Sequence, residues 1–429
     1  MFLNTYDLGE WAVCNWKIKQ DGHISLPKDR KPRGKRYVDI DERKSLLVSF
    51  FNRLIKVPSH FCRATSTKLF LEPLWSTKKE LYCTYEKELL EGNEPLSKWV
   101  FDAVFESMNL SLFTRKKDLC DTCIAFEKKF ITKERYDEHI RQKNLSRAEK
   151  EKDKNGPFRV FQFDKQATFM APKNNASSMY YRTKLTVHNQ CFLDLKTGQG
   201  YCYVWNESQG GLVANVYASI IIDFLSNLDL KEGETIILWS DNCCAQNKNQ
   251  YLASALLNFS VLHNVTIIAK YLMCGHTQME VDNMHSCIGS KIKLNDIDLP
   301  TNYVRIIRQT REKKPYIVEY LTYNFFKNFD SVRFVNSIKP GSNTVDQIHC
   351  LKYTPDKKIL FKLSHEDEFQ DLAGSRQRRS NPDPVSESSL PQLYSKPLKV
   401  SKTTYQHLQE LKSCILPDFH SFYDTLVHN

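Results

Sequence analysis

Two aspartates stand directly after apolar runs, at positions where carboxylates can hold divalent metal ions. Asp164 follows the alternating run 159–163, and Asp241 follows the buried-strand pattern of 234–240. Phosphoryl transfer on nucleic acid commonly uses two such ions about 3.5–4 Å apart, one for the attacking oxygen and one for the leaving oxygen. A single aspartate at a strand end is usually a turn or cap residue, but two of them predict a site for Mg²⁺ or Mn²⁺.

A third acid is needed, and the segment Gly275-His-Thr-Gln-Met-Glu-Val-Asp282 offers both Glu280 and Asp282. The segment is expected to open a helix. Residues two positions apart on a helix point to different faces, so only one of the two can face the metals. Their spacing from Asp241 suits both and leaves the choice open.

Polar and basic residues are candidates for contact with nucleic acid. The formal net charge of +11 favours a polyanionic partner. Beside the acids, His276 and His285 could orient a metal-bound water or contact phosphate. For either histidine the alternative is a hydrogen-bonded position in the core. The basic run near the N-terminus suits phosphate or a solvated loop equally. The nucleic-acid candidates are Lys248, His276, Arg33, Lys35 and Arg36.

The pair Cys120 and Cys123 has the spacing of a zinc knuckle, in which two thiolates come from one tight turn. Two more ligands are required, and the candidates are His139 downstream and His60 and Cys62 upstream. Free cysteines or a redox pair are the alternatives. The thirteen cysteines are odd in number and scattered, which speaks against a secreted disulfide framework. A closed Zn²⁺ site here would be structural.

The elements that must position the acids follow the order β-β-β-α-β-α-β-α. Three antiparallel strands are joined to two strands that need helical crossovers, which is the order of the RNase H fold. We therefore expect an α/β fold with an RNase H-like five-stranded mixed sheet flanked by helices. The predicted strands are 159–163, 180–195, 200–205, 234–240 and 265–272, and the helices are 213–228, 246–263 and one from 277.

Composition divides the rest of the chain. No stretch approaches about 20 uninterrupted apolar residues, so no membrane span is expected. The charged stretch 131–154 predicts an exposed helical arm. We expect a basic N-terminal segment and helix (1–57), a helical zinc-knuckle region (58–157), the catalytic domain (158–294), a small accessory α+β region (295–372), a disordered linker (373–398), and a C-terminal helix and tail (399–429).

Four motifs resemble a family of animal transposon-associated proteins with an RNase H-like domain. They are Phe163-Asp-Lys-Gln166, Gly200-Tyr-Cys-Tyr-Val-Trp-Asn-Glu207, Trp239-Ser-Asp-Asn-Cys-Cys-Ala-Gln-Asn-Lys-Asn249 and Gly275-His-Thr-Gln-Met-Glu-Val-Asp-Asn-Met-His285. The segments 59–63, 116–123 and 417–426 are similar to the upstream half and the tail of that family. The chain departs from it at Cys243-Cys244, where the family tends to carry glycines.

The resemblance implies a cut-and-paste transposase of the DDE/D type, with Asp164, Asp241 and an acid at Asp282 or Glu280 as the catalytic set. The family keeps an acid at the position of Asp282 more widely. Transposon ends and target DNA are the implied partners, with a homo-oligomer as the active form and the nucleus as the location. A catalytically silent, domesticated DNA- or protein-binding factor is the alternative, and an RNA-cutting enzyme would use the same metals.

Overall fold

A computed structural model divides the chain into two compact units. Met1–Lys56 with Leu71–Leu112 form the first, and Val57–Phe70 with Phe113–Asn429 form the second. The structure describes residues 34–54, 56–58, 69–71, 75, 77–89, 94–112, 120–372 and 383–429, with the backbone alone at 34–39, 56–58 and 70. None of the described helices combines the length and apolar character that crossing a bilayer requires.

The first unit is helical and packs through aromatic side chains. The Phe51 ring lies 5.1 Å from that of Phe101, and the Phe50 ring lies 5.5 Å from that of Tyr85. Its helices are α1 (Gly34–Arg53), α2 (Lys78–Glu88) and α3 (Lys98–Ser107). The short strand β3 (Leu110–Leu112) also belongs to this unit, whereas β1 (Lys56–Pro58) and β2 (Leu69–Leu71) stand where the chain passes from one unit to the other.

The second unit is a mixed sheet flanked by helices. The strands are β4 (Arg159–Lys165), β5 (Phe169–Ala171), β6 (Leu185–Asp194), β7 (Gly200–Asn206), β8 (Thr235–Ser240), β9 (Thr266–Tyr271), β10 (Ile317–Tyr320), β11 (Cys350–Thr354), β12 (Lys358–Lys362) and β13 (Gln370–Asp371). The helices are α4 (Asp121–Glu127), α5 (Lys133–Asn155), α6 (Ser178–Tyr181), α7 (Ala214–Ser226), α8 (Cys244–Asn247), α9 (Gln250–His263), α10 (Glu280–Lys293), α11 (Asn302–Arg308), α12 (Lys402–Leu411) and α13 (His420–Asp424).

The strands of the sheet run in the order β10-β7-β6-β4-β8-β9-β11-β12-β13, with β5 paired to β6 off this path. β4, β8 and β9 are mutually parallel, whereas β6 is antiparallel to both β4 and β7. Consecutive parallel strands require crossovers, and α7 and α9 lie in the chain segments that supply them. The carboxyl ends of β4, β8 and β9 therefore meet at one edge of the sheet.

Both faces of the central strands are covered, which explains their continuous apolar runs. Along β8, Ile236 and Leu238 belong to the core that includes α7 and α9. The alternate residues Ile237 and Trp239 belong to the core that includes α10 and α11. Since a one-residue shift would exchange these two sets, the burial pattern fixes the register of the strand.

Three expectations about the surrounding segments need correction. Strands of the predicted accessory region extend both edges of the same sheet, with β10 beside β7 and β11 beside β9. Residues 373–382 of the predicted linker lie outside the described residues. Residues 383–398 are not a free linker, because Leu390 packs in the core with a side chain that is only 4% exposed. The predicted exposed arm is α5, and one face of it is buried although that face is polar.

Candidate metal centres

Three aspartates reach the carboxyl-terminal edge of the sheet from three different elements. Asp164 is the penultimate residue of β4, and Asp241 directly follows β8. β4 and β8 are parallel neighbours with Gln162 opposite Trp239, so two residues further along each strand brings these two aspartates side by side. Asp282 lies in the first turn of α10, the helix that follows β9.

Asp164, Asp282 and His285 form a group that could hold a metal ion. One ligand atom from each lies within 4.8 Å of those of the other two. The Nδ1 atom of His285 is 4.0 Å from Oδ2 of Asp164. That separation is too long for a hydrogen bond but falls within the span of two ligands of one ion, which is at most about 4.4 Å for bonds near 2.2 Å. Asp282 and His285 share one face of α10 because they are three residues apart.

The carboxylates crowd one another in a poorly solvated site. Burial, followed by the charges of Asp241 and Asp282, raises the pKa of Asp164 from 3.8 to about 8. Burial also raises the pKa of Asp282 to about 6, and it raises the pKa of Asp241. Burial lowers the pKa of His285 to about 4, which leaves its imidazole neutral at pH 7. A divalent cation would relieve the repulsion among these carboxylates.

Hydrogen bonds orient Asp241 and Asp282. Oδ1 of Asp241 accepts from Nδ2 of Asn247 at 2.6 Å and from the backbone N–H of Cys243 at 3.2 Å. Oδ2 of Asp282 accepts from the backbone N–H of Met279 at 3.1 Å. Such contacts hold metal-binding carboxylates in one rotamer and are a normal part of a metal site.

Two buried glutamines tie α10 to the strand that carries Asp164. Oε1 of Gln162 accepts from the backbone N–H of Val281 at 3.0 Å, at the start of the helix. Nε2 of Gln166 donates to the carbonyl oxygen of His285 at 2.8 Å. The distance between the two ligand-bearing elements is therefore set on both sides of Asp164.

The carboxylate of Glu280 lies beside α5 instead of beside Asp164. It is 2.8 Å from Nζ of Lys150 and 3.1 Å from Nζ of Lys154, both on α5. Burial opposes its ionisation, but the two ammonium groups outweigh burial and lower the pKa of Glu280 to about 2. The structure thus brings Asp282, and not Glu280, to Asp164.

A second group that could hold a metal such as zinc consists of Cys120, Cys123, His139 and His276. Nε2 of His139 lies 3.3 Å and 3.6 Å from the two Sγ atoms, Nε2 of His276 lies 3.3 Å from Sγ of Cys123, and the two nitrogens are 2.9 Å apart. Bonds of about 2.0–2.3 Å in a tetrahedral zinc site put neighbouring ligands about 3.3–3.8 Å apart, close to this arrangement.

Gly275 allows the backbone to bring His276 to this group. Its φ of +73° lies in the region that favours glycine, and a Cβ at this position would be 2.8 Å from Cβ of Cys120. Any other residue here would push the chain away from Cys120. The residue types in the segment before Asp282 are therefore set partly by the Cys/His group.

The two upstream zinc-ligand candidates and three of the nucleic-acid candidates have side chains outside the described part of the chain. His60, Cys62 and Arg33 lie outside the described residues. The backbones of Lys35 and Arg36 belong to α1, but their side chains lie outside the described part of the chain.

The structure places Lys248 and His276 differently from the prediction. Lys248 is 3% exposed, and its ammonium group donates to the carbonyl oxygens of Val345, Asp346 and Ile348, so it is not available to phosphate. His276 belongs to the Cys/His group instead of a nucleic-acid surface. Both corrections have one cause, since the partners of these side chains are distant in sequence.

Sequence reasoning missed Asn247, which orients Asp241, and Gln162, which ties α10 to β4. It also did not recognise His276 as a neighbour of the cysteines. The polar run after β8 was the available signal for Asn247. No comparable signal marks Gln162, because a polar residue in an alternating strand looks solvent-facing although this one is fully buried.

Residues 177–362 match a family model described as "Domain of unknown function (DUF7869)". The match includes Asp241, His276, Asp282 and His285, whereas Asp164 and the pair of cysteines lie before it. None of the curated proteins has a sequence that matches this chain.

Proposed function

We propose that the second unit is a metal-dependent nuclease domain that cleaves nucleic-acid phosphodiesters, as a transposase or a nuclease derived from one. The observation that carries the proposal is the convergence of Asp164, Asp241 and Asp282 on one edge of the sheet from two parallel strands and a helix. Carboxylates are the ligands that Mg²⁺ and Mn²⁺ prefer.

The strand order supports an RNase H-like reading of this domain. Within the larger sheet, β7-β6-β4-β8-β9 has the order 3-2-1-4-5 when these five strands are numbered along the chain. The first acid then lies on the central strand, the second after its parallel neighbour, and the third on the helix beyond the fifth strand. This is the arrangement expected from the sequence for a DDE/D-type enzyme.

Different residues of the chain would hold the two ion positions of a two-metal site. Divalent ions, when bound, would activate a water molecule and stabilise the leaving oxygen. The charges of both other aspartates act on Asp164, which is therefore suited to contribute to both ion positions. Asp282 and His285 would complete one position, and Asp241, oriented by Asn247, would complete the other.

DNA is the proposed substrate, as transposon ends and target, with strand transfer following cleavage. The net charge of +11 supports a polyanionic partner. A homo-oligomer acting in the nucleus fits this role. We also propose that the Cys/His group binds Zn²⁺ in a structural role, because two thiolates and two imidazoles fill all four positions of a tetrahedral site.

The test is Mn²⁺-dependent cleavage of labelled duplex DNA, with the intact chain compared with Asp241→Asn. Asp371→Asn is the matched control, because it makes the same chemical change at an exposed position on β13. We expect cleavage by the intact chain and the control, and none by Asp241→Asn. An RNA duplex run in parallel identifies the substrate class.

A different result would favour the alternative of a catalytically inactive, domesticated DNA- or protein-binding factor. In that case none of the three proteins would cut either nucleic acid with Mg²⁺ or Mn²⁺, while DNA binding would be equal in all of them. Cleavage that persists in Asp241→Asn would overturn the assignment of this aspartate.

A further inference from the structure

We infer that the metal bound by the Cys/His group is a brace for the third acid: it anchors the segment 273–279 to α4 and α5 so that Asp282 faces Asp164. The inference rests on the proposed function, because it assigns Asp282 to the catalytic site. It makes His276 a positioning residue for the reaction, joined to the metal site on one side and to the start of α10 on the other.

The link from His276 to Asp282 is short and hydrogen-bonded. The backbone N–H of His276 donates to the carbonyl oxygen of Met273, and that of Gln278 donates to the carbonyl oxygen of His276, both at 3.0 Å. The next residue, Met279, donates its N–H to the carboxylate of Asp282. A displacement of His276 is therefore passed along a tight turn to the side chain that would bind the catalytic metal.

Helix α5 forms the other side of the brace. It carries His139 near its beginning and contacts the segment again further along, where Arg147 donates to Oε1 of Gln278 at 3.1 Å. Nζ of Lys150 donates to the carbonyl oxygen of Gln278 at 3.3 Å and pairs with Glu280. The helix thus runs beside the segment from the Cys/His group to the start of α10.

Polar side chains form the fully buried face of α5, so a metal at His139 would matter for the position of the helix. The buried residues of this helix are all polar or charged: His139, Lys143, Ser146, Lys150 and Asp153. Near its end, Asp153 accepts from Nζ of Lys270 and from Nε1 of Trp239, which fixes that end to β8 and β9. Nearer its beginning, Arg141 pairs with Glu366 at an exposed position. The metal would be the buried anchor there, joining His139 to His276 and the two cysteines.

The experiment compares the intact chain with His276→Ala, with His276→Cys as the rescue variant and His428→Ala as a control at an exposed histidine near the C-terminus. Zinc content is measured by mass spectrometry of the metal, and Mn²⁺ affinity by electron paramagnetic resonance. We expect His276→Ala to lose zinc and to bind Mn²⁺ at least about tenfold more weakly. His276→Cys and His428→Ala should keep both properties, because cysteine also binds zinc.

Hydrogen exchange of the backbone amides of residues 279–283 gives a readout that needs neither cleavage nor Mn²⁺. Exchange should be faster in His276→Ala and unchanged in His276→Cys. The same measurement on the intact chain before and after zinc removal and return requires no substitution, and circular dichroism reports whether the fold persists. Faster exchange without Mn²⁺ binding in any protein would support the brace and reject the proposed function.

Two outcomes would overturn the inference. In the first, His276→Ala loses zinc while Mn²⁺ affinity and the exchange of residues 279–283 stay at the values of the intact chain. In the second, His276→Ala retains a full equivalent of zinc, which would remove His276 from the ligand set. Asp282→Asn, which should keep zinc and lose Mn²⁺ affinity, separates damage at the acids from damage at the brace.

Discussion

Replacement of Asp164 by asparagine is expected to stabilise the metal-free protein at pH 8 while abolishing metal binding at the acids. In the folded chain the pKa of Asp164 is about 8, against 3.8 for an ordinary aspartate. Between these values the folded state holds a proton that the unfolded chain has released. The free energy of unfolding therefore falls as pH rises through this window. The contribution of Asp164 to the stability of the folded state is fully present only below about pH 4.

The magnitude follows from proton linkage. One proton held by the folded state alone changes the free energy of unfolding by about 1.4 kcal/mol for each pH unit, or about 4 kcal/mol between pH 5 and pH 8. The side chain of Asp164 is 23% exposed, and water relieves part of this penalty. We therefore expect Asp164→Asn to be about 2–4 kcal/mol more stable than the intact chain at pH 8, with a smaller difference at pH 5.

Urea unfolding at pH 5 and pH 8 measures this difference. The buffer should lack Mg²⁺ and Mn²⁺ but contain no chelator, so that the Cys/His metal stays in place. Added Mn²⁺ should stabilise the intact chain at pH 8 by about 2.7 kcal/mol at a concentration of 100 times Kd and leave Asp164→Asn unchanged. An Asp164→Asn variant with the stability and pH dependence of the intact chain would refute the reasoning, because Asp164 would then not be a crowded, buried carboxyl.

Four further substitutions test the site and its supports. Asp282→Asn should lower the rate of Mn²⁺-dependent cleavage more than about 100-fold, whereas Glu280→Gln should lower it less than about tenfold, because Glu280 is bound by two lysines of α5. Lys270→Met should lower the free energy of unfolding by about 3–5 kcal/mol in urea denaturation, since it leaves Asp153 buried without its cation. His285→Asp should raise the ratio of the Mg²⁺-supported to the Mn²⁺-supported cleavage rate on the order of tenfold, because an oxygen ligand replaces an imidazole.

For each of these substitutions, one result would contradict the structural argument behind it. Equal losses in Glu280→Gln and Asp282→Asn would contradict the choice of the third acid. A Lys270→Met variant of unchanged stability would show that the ion pair with Asp153 is not isolated from water, and the double variant Lys270→Met/Asp153→Leu should recover part of the lost stability. Identical metal preference in His285→Asp would remove His285 from the ligand set.

Much of the central fold could be predicted because burial on two faces leaves a clear pattern in the sequence. The predicted strand 234–240 corresponds to β8, and the predicted strand 265–272 corresponds to β9. The predicted strand 180–195 begins too early, since α6 occupies Ser178–Tyr181 and β6 starts only at Leu185. Aromatic residues at 180 and 181 suit a strand as well as a short helix, so local preference gave no boundary there.

Helix α5 shows where sequence patterns stop being informative. Its charged residues have no apolar period and therefore predicted an exposed arm. In the structure, Lys150 pairs with Glu280, which is 130 residues away, and Asp153 pairs with Lys270, which is 117 residues away. Burial of a polar face depends on partners that only the folded chain supplies, so no window of the local sequence could reveal it.

The amino-acid sequence by itself determined which residue types stand at the ends of β4 and β8 and that an acid opens the helix after β9. The tertiary structure alone decided between Glu280 and Asp282, and it brought His276 to the two cysteines. The physical reason is the same in both cases. Spacing along the chain fixes the element on which a side chain stands, whereas the direction it takes is set by packing and by charges that come from distant segments.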